Sequence, residues 1–167
     1  TASHPLPEPH GTASARHTWP DMNDPSRFAG LADRARDWHE NTDFAITTTT
    51  PVSGLIFDVY QYLRGTENFF VDLCLEKAFA HALIETIAEL MTTLYVNMVT
   101  PLAPYLTWVE FATDYGTQNG PFISPELYRE FFKGPESRIF AEVKNATPDA
   151  KIFMHSCGSV KRLIPDL

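Results

Sequence analysis

Lys151-Ile152-Phe153-Met154-His155-Ser156-Cys157-Gly158 is the stretch whose reading decides the fold. Lys151–Met154 is a short apolar run that reads as a β-strand, and a reactive triplet, His155-Ser156-Cys157, follows it without a gap. Working back along the chain, Thr107–Thr113 carries Trp108, Val109, Phe111 and Ala112 and also reads as a strand. It ends on Asp114 and a Gly-containing loop, Asp114–Gly120. Further back, Asp43–Thr50 runs Phe-Ala-Ile into four threonines and stops at Pro51, a third β-branched strand. Asp114 and His155 lie 41 residues apart, each just past the C-terminal end of its strand.

Helices fill the intervals. Asp24-Pro25 supplies an N-cap and a first-turn proline, and Phe28, Leu31, Ala35 and Trp38 follow at helical spacing, with Asp33, Arg34, Arg36, Asp37 and Glu40 on a solvated face. Ser53–Arg64 reads as a helix closed by Gly65, and Thr66 starts the next one. The longest helix runs from about Glu76 into the Thr100-Pro101 region, its buried stripe marked by Phe79, Leu83, Ile87, Leu90, Leu94 and Met98. Ser124-Pro125-Glu126 opens a last helical region, with a break near Gly134-Pro135, that continues to about Ala146. Strands separated by long helical crossovers pair in parallel, so the chain is of the α/β class. The spacing of the strand ends suits a (β/α)8 TIM barrel, in which a βα unit averages about 31 residues when roughly 250 residues hold eight of them and insertions lengthen it. No Gly-rich phosphate loop follows any of the strands, which argues against a nucleotide-binding doubly wound sheet.

The chain has 167 residues, 44% of them hydrophobic and 20% charged, which suits one globular domain. Residues 1–23 are rich in Pro, His and polar groups without periodicity, and read as an extended N-terminal arm or loop before a barrel domain over 24–167. The arm's histidines His4, His10 and His17 are irregularly spaced and read as solvated rather than metal-binding. A net charge of -8 gives no footprint for nucleic acid or an anionic membrane surface. No apolar run approaches the roughly 20 residues of a membrane span. Two cysteines make no disulfide framework, and a reducing, cytoplasmic setting is expected. The chain begins on Thr1 and stops at Leu167 inside an apolar stretch, so it is expected to be a fragment of a longer protein.

Three positions carry the chemistry. Along a strand end, residues two apart share a side, so the imidazole of His155 and the thiol of Cys157 can converge on one zinc ion. A capped strand end with an ordinary cysteine has the same sequence. Asp114, at a strand's C-terminal end beside Gly116, Gln118, Asn119 and Gly120, suits a substrate-binding loop or a turn-forming carboxylate. Glu110 lies within the same strand and either faces the barrel interior or pairs with a neighbour. Cys74 reads as a small buried hydrophobe, and His81 as a structural histidine.

Three segments taken together, Gly54–Leu73 (GLIFDVYQYLRGTENFFVDL), Asp114–Glu130 (DYGTQNGPFISPELYRE) and Phe153–Leu167 (FMHSCGSVKRLIPDL), resemble the uroporphyrinogen decarboxylase superfamily. The likeness implies a (β/α)8 barrel with its active site at the C-terminal mouth. It also implies one of two chemistries. The decarboxylases act on a tetrapyrrole and use a Tyr in a Tyr-Met-x-Glu-Gly-like segment, where this chain has Gln61 in the Tyr place and Arg64 in the Glu place. The other branch consists of zinc-dependent methyltransferases that work with a corrinoid protein as methyl donor or acceptor. Their metal site uses a His-x-Cys pair, matched here by His155 and Cys157, and a distal Cys that would fall beyond Leu167. The expectation is therefore a methyltransferase-like enzyme with His155 and Cys157 as metal ligands and Asp114 as the catalytic or substrate-positioning carboxylate. Gly116, Gln118 and Asn119 would contact substrate. A tetrapyrrole decarboxylase, or a non-catalytic corrinoid- or tetrapyrrole-binding protein, is the alternative.

Overall fold

A computed structural model describes residues 4–6 and 17–167; His10 lies outside the described residues. Three strands, β1 (Ile46–Thr47), β2 (Leu106–Ala112) and β3 (Lys151–His155), form one sheet in the order β1-β2-β3. Both pairings are parallel. Among the described residues, six α-helices accompany them: α1 (Leu31–Asn41), α2 (Ile56–Arg64), α3 (Thr66–Leu75), α4 (Lys77–Val99), α5 (Pro125–Phe131) and α6 (Lys133–Ala146). This is the arrangement of an arc of a (β/α) barrel.

The sheet's two faces are set by alternation. Val109 and Phe111 of β2 are fully buried toward the helices, where Phe111 stacks on Tyr95 of α4 at 4.4 Å and meets Phe140 of α6 at 4.7 Å. Trp108, Glu110 and Ala112 point the other way and are half-buried, so Glu110 stands on the barrel's inner face. In register, Trp108 lies beside Lys151, Glu110 beside Phe153 and Ala112 beside His155. Thr113 N–H then donates to the His155 carbonyl at 3.0 Å, so the two strand ends finish level with each other.

Local sequence explains most element boundaries. Ser124 Oγ accepts from Leu127 N–H at the start of α5, and Asp24 Oδ1 accepts from Ser26 N–H. Asp24 caps only a 3-10 turn, Pro25–Phe28, because Gly30 then enters the left-handed region (φ 76°) and α1 begins after it. Of the apolar residues read on that helix, Ala35 is buried whereas Trp38 is 48% exposed. The strand read over 43–50 shortens to β1, because its pairing slips between Ile46 and Thr47. Past the slip Thr48 N–H still donates to the Trp108 carbonyl at 3.4 Å, and the Thr48 side chain adds a second link, its Oγ1 accepting from Glu110 N–H at 3.2 Å. Gly54 (φ 96°) delays α2 to Ile56. The break expected near Gly134-Pro135 falls at Phe132 instead, and Pro135 sits in the first turn of α6, where no intrahelical N–H is required.

Helix α4 and the 3-10 turn after it, Lys77–Leu102, are by length and composition apolar enough to cross a membrane, contrary to the sequence reading. Half of that apolar window is buried within the molecule, and its stripe is the core of the domain. Leu90, read as part of the stripe, is half-buried.

Behind the sheet, Arg64 at the end of α2 is 1% exposed and clasps Asp72 of α3 with two hydrogen bonds, at 2.7 and 2.9 Å. Its remaining nitrogen donates to the Leu6 carbonyl, while Leu6 N–H donates to Leu63, which seats residues 4–6 on the helix end. Cys74 is exposed on α3, because the buried side of that helix is taken by Phe69, Asp72 and Leu73. His81 is also at the surface, stacked on Phe131 at 4.4 Å and 4.0 Å from Glu130.

Candidate metal centre

Among the described residues, the donor atoms of Asp114, His155 and Cys157 lie within 4.8 Å of one another. The register of β2 and β3 is the cause. Asp114 follows the end of β2 and His155 closes β3, so two neighbouring strand ends deliver their side chains to one point on the C-terminal side of the sheet. His155 Nε2 is 3.3 Å from Cys157 Sγ and 3.8 Å from Asp114 Oδ1. The Asp114 carboxylate also accepts the Cys157 backbone N–H at 2.8 Å, which turns the chain after Ser156. All three residues are exposed.

The donor set fits zinc. Bonds of about 2.0–2.1 Å to nitrogen and 2.3 Å to sulfur at tetrahedral angles place the two donors about 3.5 Å apart, close to the observed separation. A carboxylate is a third acceptable ligand type, and the exposure of the cluster leaves room for a fourth. Without a cation, Asp114 pushes the pKa of the Cys157 thiol up, first as a hydrogen-bond acceptor and then by its charge. A dication between them inverts that balance and favours the thiolate.

The loop after β2 is a small hairpin held by its own polar groups. Gly116 bridges to Pro121, Phe122 N–H donates to the Tyr115 carbonyl at 2.8 Å, and Thr117 Oγ1 accepts from the amides of Asn119 and Gly120. Gly116 packs on the backbone of Cys157–Ser159, whereas Gln118 and Asn119 stand exposed at the tip. Tyr115 N–H donates to Ser156 Oγ at 3.1 Å, and Ser159 N–H to the Thr117 carbonyl at 2.8 Å. Asp58 of α2 approaches from behind. Burial raises its pKa, opposed by the Thr113 hydroxyl and the Asp114 amide, and the Asp114 charge adds to the rise.

Sequence reasoning missed the support beneath this loop. The Tyr115 phenol donates to Glu136 Oε1 at 2.7 Å and Tyr128 donates to Oε2 at 3.0 Å, with Glu136 fully buried. Desolvation raises the pKa of Glu136 to about 7 despite both phenols. A buried acid in an amphipathic helix has no local sequence signature. Only the Tyr-rich neighbourhood of Tyr115 and Tyr128 hints at an acceptor between them.

Residues 39–167 match the family described as Uroporphyrinogen decarboxylase (URO-D). The chain belongs to the uroporphyrinogen decarboxylase family, and its three parallel strands with their helices are part of that family's barrel. No curated protein and no solved structure matches it.

Proposed function

We propose that this member of the uroporphyrinogen decarboxylase superfamily is a zinc-dependent methyltransferase that works with a corrinoid protein. The convergence of His155, Cys157 and Asp114 at neighbouring strand ends carries the reading. His155 and Cys157 would hold the metal, and Asp114 would orient Cys157 through its backbone amide and complete or flank the ligand set. Zinc held there would supply Lewis acidity that favours the thiolate form of an acceptor thiol, the nucleophile for a methyl group whose bonding electron pair would stay with the corrinoid cobalt. Gly116, Gln118 and Asn119 line the rim on which the acceptor or the partner would rest. The two cysteines are both free, which suits a reducing, cytoplasmic setting.

Tetrapyrrole decarboxylation is the competing chemistry, and two positions speak against it. Gln61 replaces the phenol that the resemblance calls for and is tied to its own helix, donating to the Phe57 carbonyl. Arg64, in place of a Glu, is sealed in the core by Asp72. The test is a paired assay on the full-length protein: methyl transfer from a methylated corrinoid to a thiol, and carbon dioxide release from uroporphyrinogen. The expected result is zinc-dependent methyl transfer, abolished by Cys157→Ser and His155→Ala. Carbon dioxide release that survives both substitutions would replace this reading with the decarboxylase one.

A further inference from the structure

We propose that Glu136 is a positioning residue for the metal-binding cluster and acts on it through Tyr115. The inference rests on reading Asp114, His155 and Cys157 as a zinc site. Glu136 lies in the first turn of α6 with no exposed surface, and each of its carboxylate oxygens receives one phenol. Tyr115 is fully buried too, its ring packed against Phe57 at 4.7 Å, Tyr128 at 5.3 Å and Phe132 at 6.1 Å. Its backbone, however, belongs to the site. The Tyr115 amide holds Ser156, its carbonyl closes the hairpin on Phe122, and its chain neighbours are Asp114 and Gly116. Asp114 receives the Cys157 amide, and Gly116 lies against the Cys157–Ser159 backbone. One anchored side chain therefore fixes the depth and rotation of the whole contact between the two strand ends.

A carboxylate is an expensive way to fill a core, since burying it without full pairing costs stability. What an apolar residue of the same size lacks is direction. Two acceptor oxygens set the position of two phenols, and only one of those phenols, Tyr115, is continuous with the site. Tyr128 belongs to α5: its hydroxyl reaches Glu136 and its ring packs edge-on against Tyr115 at 5.3 Å, a ring contact that removal of the hydroxyl leaves in place. The two tyrosines thus separate positioning from simple core support, because each loses one buried hydrogen bond to the same carboxylate when its hydroxyl is removed.

The experiment compares Tyr115→Phe, Tyr128→Phe, Glu136→Gln and Glu136→Leu in the full-length protein. Two readouts are taken: zinc affinity by chelator competition, and amide hydrogen exchange of residues 114–120 and 156–159 in metal-free protein. Tyr115→Phe and Glu136→Leu are expected to weaken zinc about 10-fold or more and to speed exchange in both segments, as loss of an outer support does at metal sites. Tyr128→Phe should leave both readouts within about 2-fold, as should Glu136→Gln, whose amide still accepts from Tyr115. Equal effects of the two tyrosine substitutions, or unchanged loop exchange in Tyr115→Phe, would overturn the proposal. Should wild type bind no zinc, the metal reading falls, while the exchange contrast between the tyrosines still decides the role of Glu136. Should Glu136→Leu not fold, the tyrosine pair decides alone.

Discussion

Gly116 and Gly158 are fitted into each other across the two strand ends. A Cβ on Gly158 would stand 2.4 Å from the Gly116 carbonyl oxygen, and one on Gly116 would stand 2.5 Å from the Cys157 carbonyl oxygen. Backbone meets backbone here, so no side-chain rotation relieves the clash. Gly158 also has φ 76°, which costs any other L-residue about 1–2 kcal/mol.

Alanine at either position should push the hairpin away from Cys157 and separate Asp114 from His155. Gly158→Ala is expected to lower stability by at least ~1–2 kcal/mol and to weaken zinc binding. Gly134→Ala is the control: its Cβ would meet nothing closer than 3.9 Å, within a helix that gains up to ~1 kcal/mol from alanine. Denaturant melts with zinc titrations check both. Gly158→Ala with wild-type stability and metal affinity would show that the close fit is unimportant.

The buried Arg64–Asp72 pair should behave as a unit. Replacing Arg64 with Met leaves the Asp72 carboxylate facing only Tyr60 O–H and removes the donor to the Leu6 carbonyl. The expected cost is about 3–5 kcal/mol, with much of it recovered when Asp72 is replaced by Leu in the same chain. Urea unfolding of the single and double variants measures the coupling. Additive losses would mean that the two charges are independently accommodated.

Glu136 predicts a pH dependence of stability. Its folded pKa, pushed up to about 7 by burial, lies above the ordinary glutamate value of 4.5. Between these values the folded protein keeps a proton that the unfolded chain has released, so stability declines as pH rises through the window and levels off above it. The full amplitude is on the order of 3 kcal/mol. Glu136→Gln has no such proton and should show a flatter profile from pH 5 to 8. Parallel profiles for the two proteins in urea melts would contradict the assignment.

The order of elements and the parallel sheet were legible because the chain's apolar runs are short, β-branched and separated by capped helices. Thr107–Thr113 and Lys151–Met154 needed no tertiary information; alternation suggested that His155 and Cys157 converge, but Cys157 lies past the end of β3, where the Asp114 carboxylate holds its amide. The shortness of β1 was not legible, since a register slip between Ile46 and Thr47 is a property of its pairing with β2. Cys74 was misplaced because composition around a residue does not tell which side of a helix faces the core. Asp114 was visible as a strand-end carboxylate, but its hold on the Cys157 amide spans 43 residues. Glu136 was invisible for the same reason: its partners are set by how α5, α6 and the hairpin pack.

Zinc content with X-ray absorption of the purified full-length protein tests the central claim most directly. The account predicts about one zinc per chain, with nitrogen and sulfur scatterers near 2.0–2.1 and 2.3 Å, and loss of both metal and sulfur signal in a folded Cys157→Ser variant. Wild-type protein that folds without stoichiometric zinc, or a Cys157→Ser variant that keeps it with an unchanged sulfur shell, would contradict the account.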